Sequence, residues 1–384
     1  MHGTVETSFR VEWRALAELA PIAAPWHALA ARALAPNVFY EPAFALAAAA
    51  AFGQDVGAGL VWSRAAPARL LGFFPARVAR RRYGIGLPIL IGWTHPYAPL
   101  GAPLVDRDAG AAVIAAWLDH VADDAALPSL LLLPYLPSEG PLAQAFDAVI
   151  AKRGGMSRAF ANHRRALLAP SEAHARYLDD AIGGKKRKEL RRQRHRLAET
   201  GAVSSDTVRE PSAVAQALGD FLALEAAGWK GRAGTAAGAD VEIRAFMEAA
   251  VTQLARDGQA RIARLRVGDR PVAAIVTLMS GASAWCWKIA YDEAFARFSP
   301  GVQLLLDVTQ ALIDDPGIDR ADSCATAGHP MIDHVWRERL ALDDRLVRIG
   351  PDRSIAFAVA CRLESLRRTA IASAKALRDR MRGR

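Results

Sequence analysis

The sequence predicts an α/β protein of two tandem halves, each a mixed sheet flanked by helices. Three observations carry that expectation. With 384 residues, of which 52% are hydrophobic, the chain is too long for one ordinary core. Helix and strand patterns alternate along it. The second half repeats the order of elements, helix, helix, strands, helix, strand, without any short sequence repeat. The first half is expected over 1–160 and the second over 161–384, joined by a connection at Gly154–Pro170.

In the first half a helix is expected from Trp13 to Ala33, and Pro42 opens the Ala-rich helix that ends near Gly53. Gly59–Ser63 and Ala68–Val78 read as a hairpin, and Leu87–Trp93 continues the sheet before the aromatic, proline-rich loop Thr94–Pro103. Ala111–Asp123 is helical. Ser129–Leu133, an apolar run between Pro128 and Pro134, has the pattern of a central strand.

The second half opens on GKKRKELRRQRHRLAETG, Gly184–Gly201, where eight cations share one segment with only Glu189 and Glu199. Interleaved helix formers and flanking glycines predict one helix. Ile182, Leu190 and Leu197 form a thin apolar stripe that pins it to a core and leaves the basic faces free, a site for anions. Pro211–Gly228 and Asp240–Asp257 are helical patterns. Ala260–Val267, Pro271–Ser280 and Ala284–Tyr291 form an antiparallel meander whose first turn is Gly268-Asp269. Val302–Asp314 is a helix entered directly from Ser299-Pro300-Gly301, and Ile318–Cys324 is a further strand.

Charge and cysteine content narrow the function classes. A net charge of +9 favours acidic partners without choosing among nucleic acid, membrane surface and phosphorylated substrates. Cys286, Cys324 and Cys361 are too widely spaced for a zinc knuckle or a disulfide framework, so a reducing compartment and no metal are expected. The N-terminus carries acidic residues and no apolar core, and no run approaches the length of a membrane span, so a cytoplasmic location is expected.

Two segments carry candidate chemistry. Ser299, Pro300 and Gly301 enter a helix whose first N–H groups and dipole could seat a phosphate, or Ser-Pro is simply a cap. The loop around Trp229, Lys230, Gly231 and Arg232 could cover a ligand with one flat aromatic and two cations, or be a surface linker.

KKRKELRRQRHRLAETG, LEAAGWKGRAGTA and AYDEAFARFSPGVQLLLD, in this order and at this spacing, resemble the CelD/BcsL-type acetyltransferases associated with cellulose biosynthesis, with their BioF-like acetyltransferase domain. That family lies in the GNAT superfamily and is related to the Fem aminoacyl-ligase fold. NVFYEPAFALAAAAAFG resembles the family's N-terminal pattern more loosely. The resemblance implies two GNAT-like halves, the first on the acceptor side with the acceptor cleft between them. It implies acyl transfer from acetyl-CoA, another acyl-CoA or an acyl-carrier protein to an amine or hydroxyl, in polysaccharide or cell-envelope biosynthesis. The acceptor would be a small molecule or glycan precursor.

Residue by residue, Lys186, Arg187, Arg191 and Arg192 match the family's basic helix. Glu225, Trp229, Lys230 and Gly231 match its WKG loop, with Arg232 beside them. Tyr291, Asp292, Ser299, Pro300 and Gly301 match its donor strand and turn, with Gln303 completing the donor set. The Q/RxxGxG/A loop of single-domain GNAT enzymes is absent, and SPG stands in its place.

Direct attack on a thioester needs orientation, a base, oxyanion stabilisation and a proton for the thiolate. Glu225 and Asp292 are the candidate bases, then His329, with Tyr291 as proton donor. Each has a structural alternative: Glu225 pairing with an arginine, Asp292 capping a turn, His329 packing in its loop. Cys324 and His329 could form a Cys-His pair, or Cys324 could be a buried strand end. Trp93, His95 and Tyr97 are candidates for the acceptor cleft. In the tail, Val359, Leu363, Leu366, Ala370, Ala374, Leu377 and Met381 make an apolar stripe, expected to pack on a core in its first turns and to leave the last turns for an anionic membrane surface. The competing class is a nucleic-acid binder or a polysaccharide-synthase scaffold using the basic helix. Nucleic acid is disfavoured because the run holds no base-stacking aromatic.

Overall fold

The computed structural model describes residues 9–170, 176–349 and 354–382. Glu6 of the acidic N-terminus and the Met381 side chain lie outside the described part. The strands are β1 (Phe9–Ala15), β2 (Val56–Ser63), β3 (Leu70–Ala79), β4 (Ile89–Gly92), β5 (Leu104–Val105), β6 (Leu130–Pro137), β7 (Met156–Leu168), β8 (Val203–Val208), β9 (Ala260–Val267), β10 (Arg270–Ser280), β11 (Ser283–Tyr291), β12 (Arg320–Asp322) and β13 (Glu338–Arg348). The helices are α1 (Ala23–Ala30), α2 (Pro42–Phe52), α3 (Gly110–Asp123), α4 (Pro141–Lys152), α5 (Tyr177–Ala181), α6 (Gly184–Ala198), α7 (Pro211–Ala227), α8 (Trp229–Arg232), α9 (Val241–Arg256), α10 (Pro300–Ile313) and α11 (Ser354–Arg382).

The chain divides into two compact units, one from 1–35, 55–162 and 342–384, the other from 36–54 and 163–341. In the first, the strand order is β1-β2-β3-β4-β6-β13, with β5 against β3. Every pair is antiparallel except β4 with β6, which meet in parallel at Leu90–Leu131 and Ile91–Leu132. In the second, the order is β8-β9-β10-β11-β12-β7, again antiparallel except for one parallel pair, β11 with β12. The strands of the two units thus follow the same succession of pairings.

Packing explains which segments each unit takes. Phe44 of α2 meets Phe246 of α9 edge to face at 5.3 Å and Trp287 of β11 at 5.6 Å, so the Ala-rich helix belongs with the second unit. Its leading Glu41 is buried and accepts from Ser280 Oγ at 2.6 Å and Gln259 Nε2 at 3.0 Å. Leu197 of α6 and Leu304, Leu305 and Val308 of α10 pack with Leu265 and Ile275 of the sheet. Ile182 and Leu190, the rest of the stripe read from the sequence, are buried too and line a groove against α10.

Several expectations are corrected. Trp13–Ala33 is not one helix: Phe9–Ala15 is β1, paired from Phe9↔Ser63 to Ala15↔Gly57, and after two short 3-10 turns, Leu16–Glu18 and Ala20–Ile22, the α-helix begins only at Ala23. Gly154–Pro170 is not a plain connection but holds the 13-residue β7, which pairs β12 at Leu167 and Leu168. The polar strand β8 and the charged strand β13 carry no apolar run that would mark them in sequence. On α11 the first turns bury Phe357, Ala360, Cys361 and Glu364, while Val359 and Leu366 of the expected stripe are exposed. The buried face turns toward Glu364 because Arg82 reaches it with two hydrogen bonds, at 2.9 and 3.0 Å, and Arg368 adds an ion pair at 2.8 Å. Among the described residues, no helix is long and apolar enough to cross a membrane.

Arg165 of β7 and Asp322, the last residue of β12, form a buried ion pair, and the second oxygen of Asp322 accepts from Cys324 N–H at 3.0 Å. Removing one member leaves the other buried charge without this partner, so Asp322→Ala should lower stability by about 3–5 kcal/mol. A shift of the urea midpoint at unchanged slope would show it; a midpoint within error of wild type would refute the assignment.

Candidate functional site

The second unit places its chemistry where β11 outruns β12. These strands pair in parallel only at Ser283–Arg320, Ala284–Ala321 and Trp285–Asp322. Beyond Asp322 the chain turns away through Cys324, which sits at φ +53°. On its other side β11 stays paired with β10 as far as Tyr291↔Ala273. The register slips between Val276↔Lys288 and Thr277↔Cys286, so Trp287 is the extra residue of a β-bulge where β11 and β12 part. A strand freed on one side offers its N–H and C=O groups to an extended ligand.

The helix after β11 closes one flank. Ser299 is left-handed (φ 52°, ψ 48°) and Pro300 occupies the first turn of α10, where a missing N–H costs nothing. Ser299 makes no side-chain cap. A Cβ built on Gly301 would stand 3.3 Å from the Tyr291 ring and 3.7 Å from Ile289 Cδ1, so this glycine lets Tyr291 lie against the start of the helix. Gln303 is buried and donates from Nε2 to Phe298 C=O at 2.7 Å.

The opposite flank is the loop from α7 into α8. Glu225, only 5% exposed, accepts from Lys230 Nζ at 2.6 Å and from Ala237 N–H at 2.8 Å, tying both ends of the loop to one carboxylate. Its expected ion pair therefore exists, with a lysine in place of an arginine. Glu293 accepts from Trp229 N–H at 2.7 Å and Arg232 Nη2 at 2.6 Å, and these two donors, Arg232 first, hold its carboxyl below the usual range. Gly231 permits the tight turn: a Cβ there would fall 1.7 Å from Ala226 C=O. Trp229 is left 59% exposed, over a shallow depression of about 50 Å³ that Glu225, Lys230 and Tyr291 also line.

Lys288, beside the bulge, escaped the sequence reading. Burial first and Lys230 second lower its ammonium to about 8, against the opposing carboxylate of Glu225. A lone lysine between Trp287 and Ile289 reads as an ordinary strand residue; only the bulge and the neighbouring Lys230 distinguish it.

The remaining candidates disperse. Asp292 is paired with Arg270, and its other oxygen accepts from Ala294 N–H at 2.9 Å, capping the short turn Glu293–Phe298. His329 Nδ1 accepts from Met331 N–H at 3.3 Å. Burial, then Asp322, pushes the Cys324 thiol well above its usual value, which opposes thiolate chemistry there. The Trp93 and His95 rings meet at a tilt, 5.3 Å apart, within the first unit. On α6, Arg187 and Arg191 line a groove with α10, while Arg192 pairs with Glu189 and Lys186 is exposed.

Because Glu225 alone bridges Lys230 and the Ala237 amide, Glu225→Ala should cost about 1–3 kcal/mol and speed amide exchange across residues 228–237. Glu293→Gln, at the surface, should leave the midpoint nearly unchanged. Exchange read by mass spectrometry, with both variants equally protected across the loop, would contradict the latch.

Residues 184–329 match the acetyltransferase (GNAT) domain family. No protein of curated function matches the chain in sequence. Among solved structures, FemX is similar with a TM-score of 0.59 at 9% identity, covering 85% of this chain and 96% of FemX. The C-terminal domain of a protein described as a lysylphosphatidylglycerol synthetase, from Agrobacterium fabrum, is similar with a TM-score of 0.55 at 12% identity, over 89% and 95% of the two chains. A protein of unknown function from Bacteroides thetaiotaomicron is similar with a TM-score of 0.53 at 11% identity, over 88% and 100%. At such identities the likeness is one of fold. The chain has a GNAT-like mixed α/β fold, with sequence similarity to GNAT acetyltransferases across the part that holds the parted strands.

Proposed function

We propose that the second unit transfers an acyl group from a thioester to an amine or hydroxyl, with the donor laid along the freed edge of β11. The parting of β11 from β12 beyond Trp285 carries this reading. A thioester arm rich in amides fits that edge because it can continue the ladder that β12 leaves. Acetyl-CoA, another acyl-CoA or a carrier-linked acyl group all bring such an arm. The first-turn N–H groups of Gly301 and Val302 would face its phosphate end.

Lys288 is the base best placed for the acceptor, since its amine titrates near working pH beside the bulge. Glu225 positions Lys230 and, through it, the electrostatics at Lys288. The acceptor nitrogen or oxygen attacks the thioester carbonyl, and its proton passes to the neutral Lys288 amine. The carbon–sulfur bond breaks, and the thiolate takes a proton from Tyr291. Trp229 and the shallow depression beside it admit only the reacting end of an acceptor.

The motifs LEAAGWKGRAGTA and AYDEAFARFSPGVQLLLD support the finer CelD/BcsL-type reading. On it, the acceptor is a glycan or cell-envelope precursor and the work is done in the cytoplasm. An acyl-carrier protein as donor, and contact of the last turns of α11 with an anionic membrane surface, belong to the same proposal.

Two measurements test it. Gly301→Val should displace Tyr291 and weaken acetyl-CoA binding at least tenfold by calorimetry; unchanged affinity in a folded variant removes the site from consideration. Thioester consumption with amines and amino sugars should fall about tenfold per unit as pH drops below about 8, because only the unprotonated Lys288 accepts a proton. Lys288→Met should lower the rate by about 10²–10⁴-fold and abolish that limb. A variant that keeps the same pH profile would exclude Lys288 as the base.

A further inference from the structure

The basic helix does more than carry charge. Between α5, α6 and α10 lies a groove of about 360 Å³ whose floor is Leu178, Ile182, Leu190 and Leu306. Arg187, Arg191 and Arg194 stand along it. Two of these cations are offset within the groove, Arg187 by Asp179 and Arg194 by Asp307 at 3.3 Å. Arg191 has no carboxylate within ion-pair distance among the described residues, so the groove keeps one uncompensated positive charge beside an apolar floor.

A second, independent observation points to a ligand. Gln303 lines the same groove and is only 3% exposed. Its Nε2 donates to Phe298 C=O, which fixes the amide orientation, and its Oε1 is buried with no hydrogen-bond partner among the described residues. A buried acceptor left unmatched is costly, and a ligand donor would relieve it.

We infer that this groove binds a phosphate monoester on a short aliphatic stem that also carries a hydroxyl or amide N–H. The phosphate meets Arg191 at the rim, the stem covers the leucine and isoleucine floor, and the donor reaches Gln303 Oε1. Neither a bare anion nor a plain alkane matches all three features. The inference does not depend on acyl transfer, because the groove is lined by other residues than those at the parted strands.

The test is calorimetric titration of the whole chain with 5-hydroxypentyl phosphate, pentyl phosphate and inorganic phosphate. Wild type should bind the hydroxypentyl ester most tightly and inorganic phosphate at least tenfold more weakly. Arg191→Gln should weaken both esters at least tenfold, while Arg192→Gln, on the same helix but outside the groove, should change them less than twofold. Gln303→Leu should weaken the hydroxypentyl ester alone. Circular dichroism and an unchanged urea midpoint confirm that each variant is folded. Equal affinity for inorganic phosphate and the esters, equal loss in the Arg191 and Arg192 variants, or no binding at millimolar ester would overturn the inference.

Discussion

Everything at the parted strands depends on β12 stopping at Asp322. The buried pair of Arg165 and Asp322 ties that stop to β7, and the same carboxylate accepts from Cys324 N–H as the chain turns off in a left-handed conformation. Were β12 to run on, it would pair β11 through the bulge at Trp287 and fill the edge along which a ligand can lie. A buried ion pair contributes little net stability compared with apolar packing, yet it costs a great deal to break. Here that asymmetry holds one strand end in place.

The two flanks of the site are built on opposite principles. On the α10 side the contact is steric: Gly301 has no Cβ, and Tyr291 lies close against the helix start. On the α8 side the contact is electrostatic, with Glu225 and Glu293 holding a four-residue helical turn that has no buried residue of its own. A segment that buries so little apolar surface opens at low cost, which suits a loop over a ligand. Lys288 lies beside that loop, and its depressed basicity arises from burial first and from Lys230 second. Loop position and lysine chemistry are therefore coupled through one carboxylate, Glu225.

Much of the fold was legible because its signals are local. Pro42 opens α2, Asp240 caps α9 through Glu242 and Ile243 N–H, and Gly268 at φ +58° turns the hairpin of β9 and β10. The apolar runs of β6 and β10 announce interior strands. Strands without such runs stayed hidden. β1 looked helical from Trp13 onward because its alternation is shared with an amphipathic pattern, and β7 and β13 carry buried charges held in ion pairs, Arg165 with Asp322 and Arg345 with Asp147 and Asp343. The candidate site was legible as segments: the WKG loop, the Tyr291 strand end and the SPG turn do line or flank one place in the second unit. The roles of Asp292 and His329 were not, since capping and catalysis draw on the same residue types.

By itself the sequence determined the alternation of helices and strands, the placement of the basic helix by Ile182, Leu190 and Leu197, and the chemistry available in each segment, because propensity, capping and periodicity act over a few residues. Only the tertiary structure decided that residues 36–54 join the second unit, that β12 ends where β11 continues, and that Lys288 is half-buried near Lys230. It also decided which arginines of α6 share a groove with Gln303. Those outcomes rest on contacts between residues tens to hundreds of positions apart, and no local pattern encodes which distant side chain will desolvate a lysine or leave an amide oxygen without a donor.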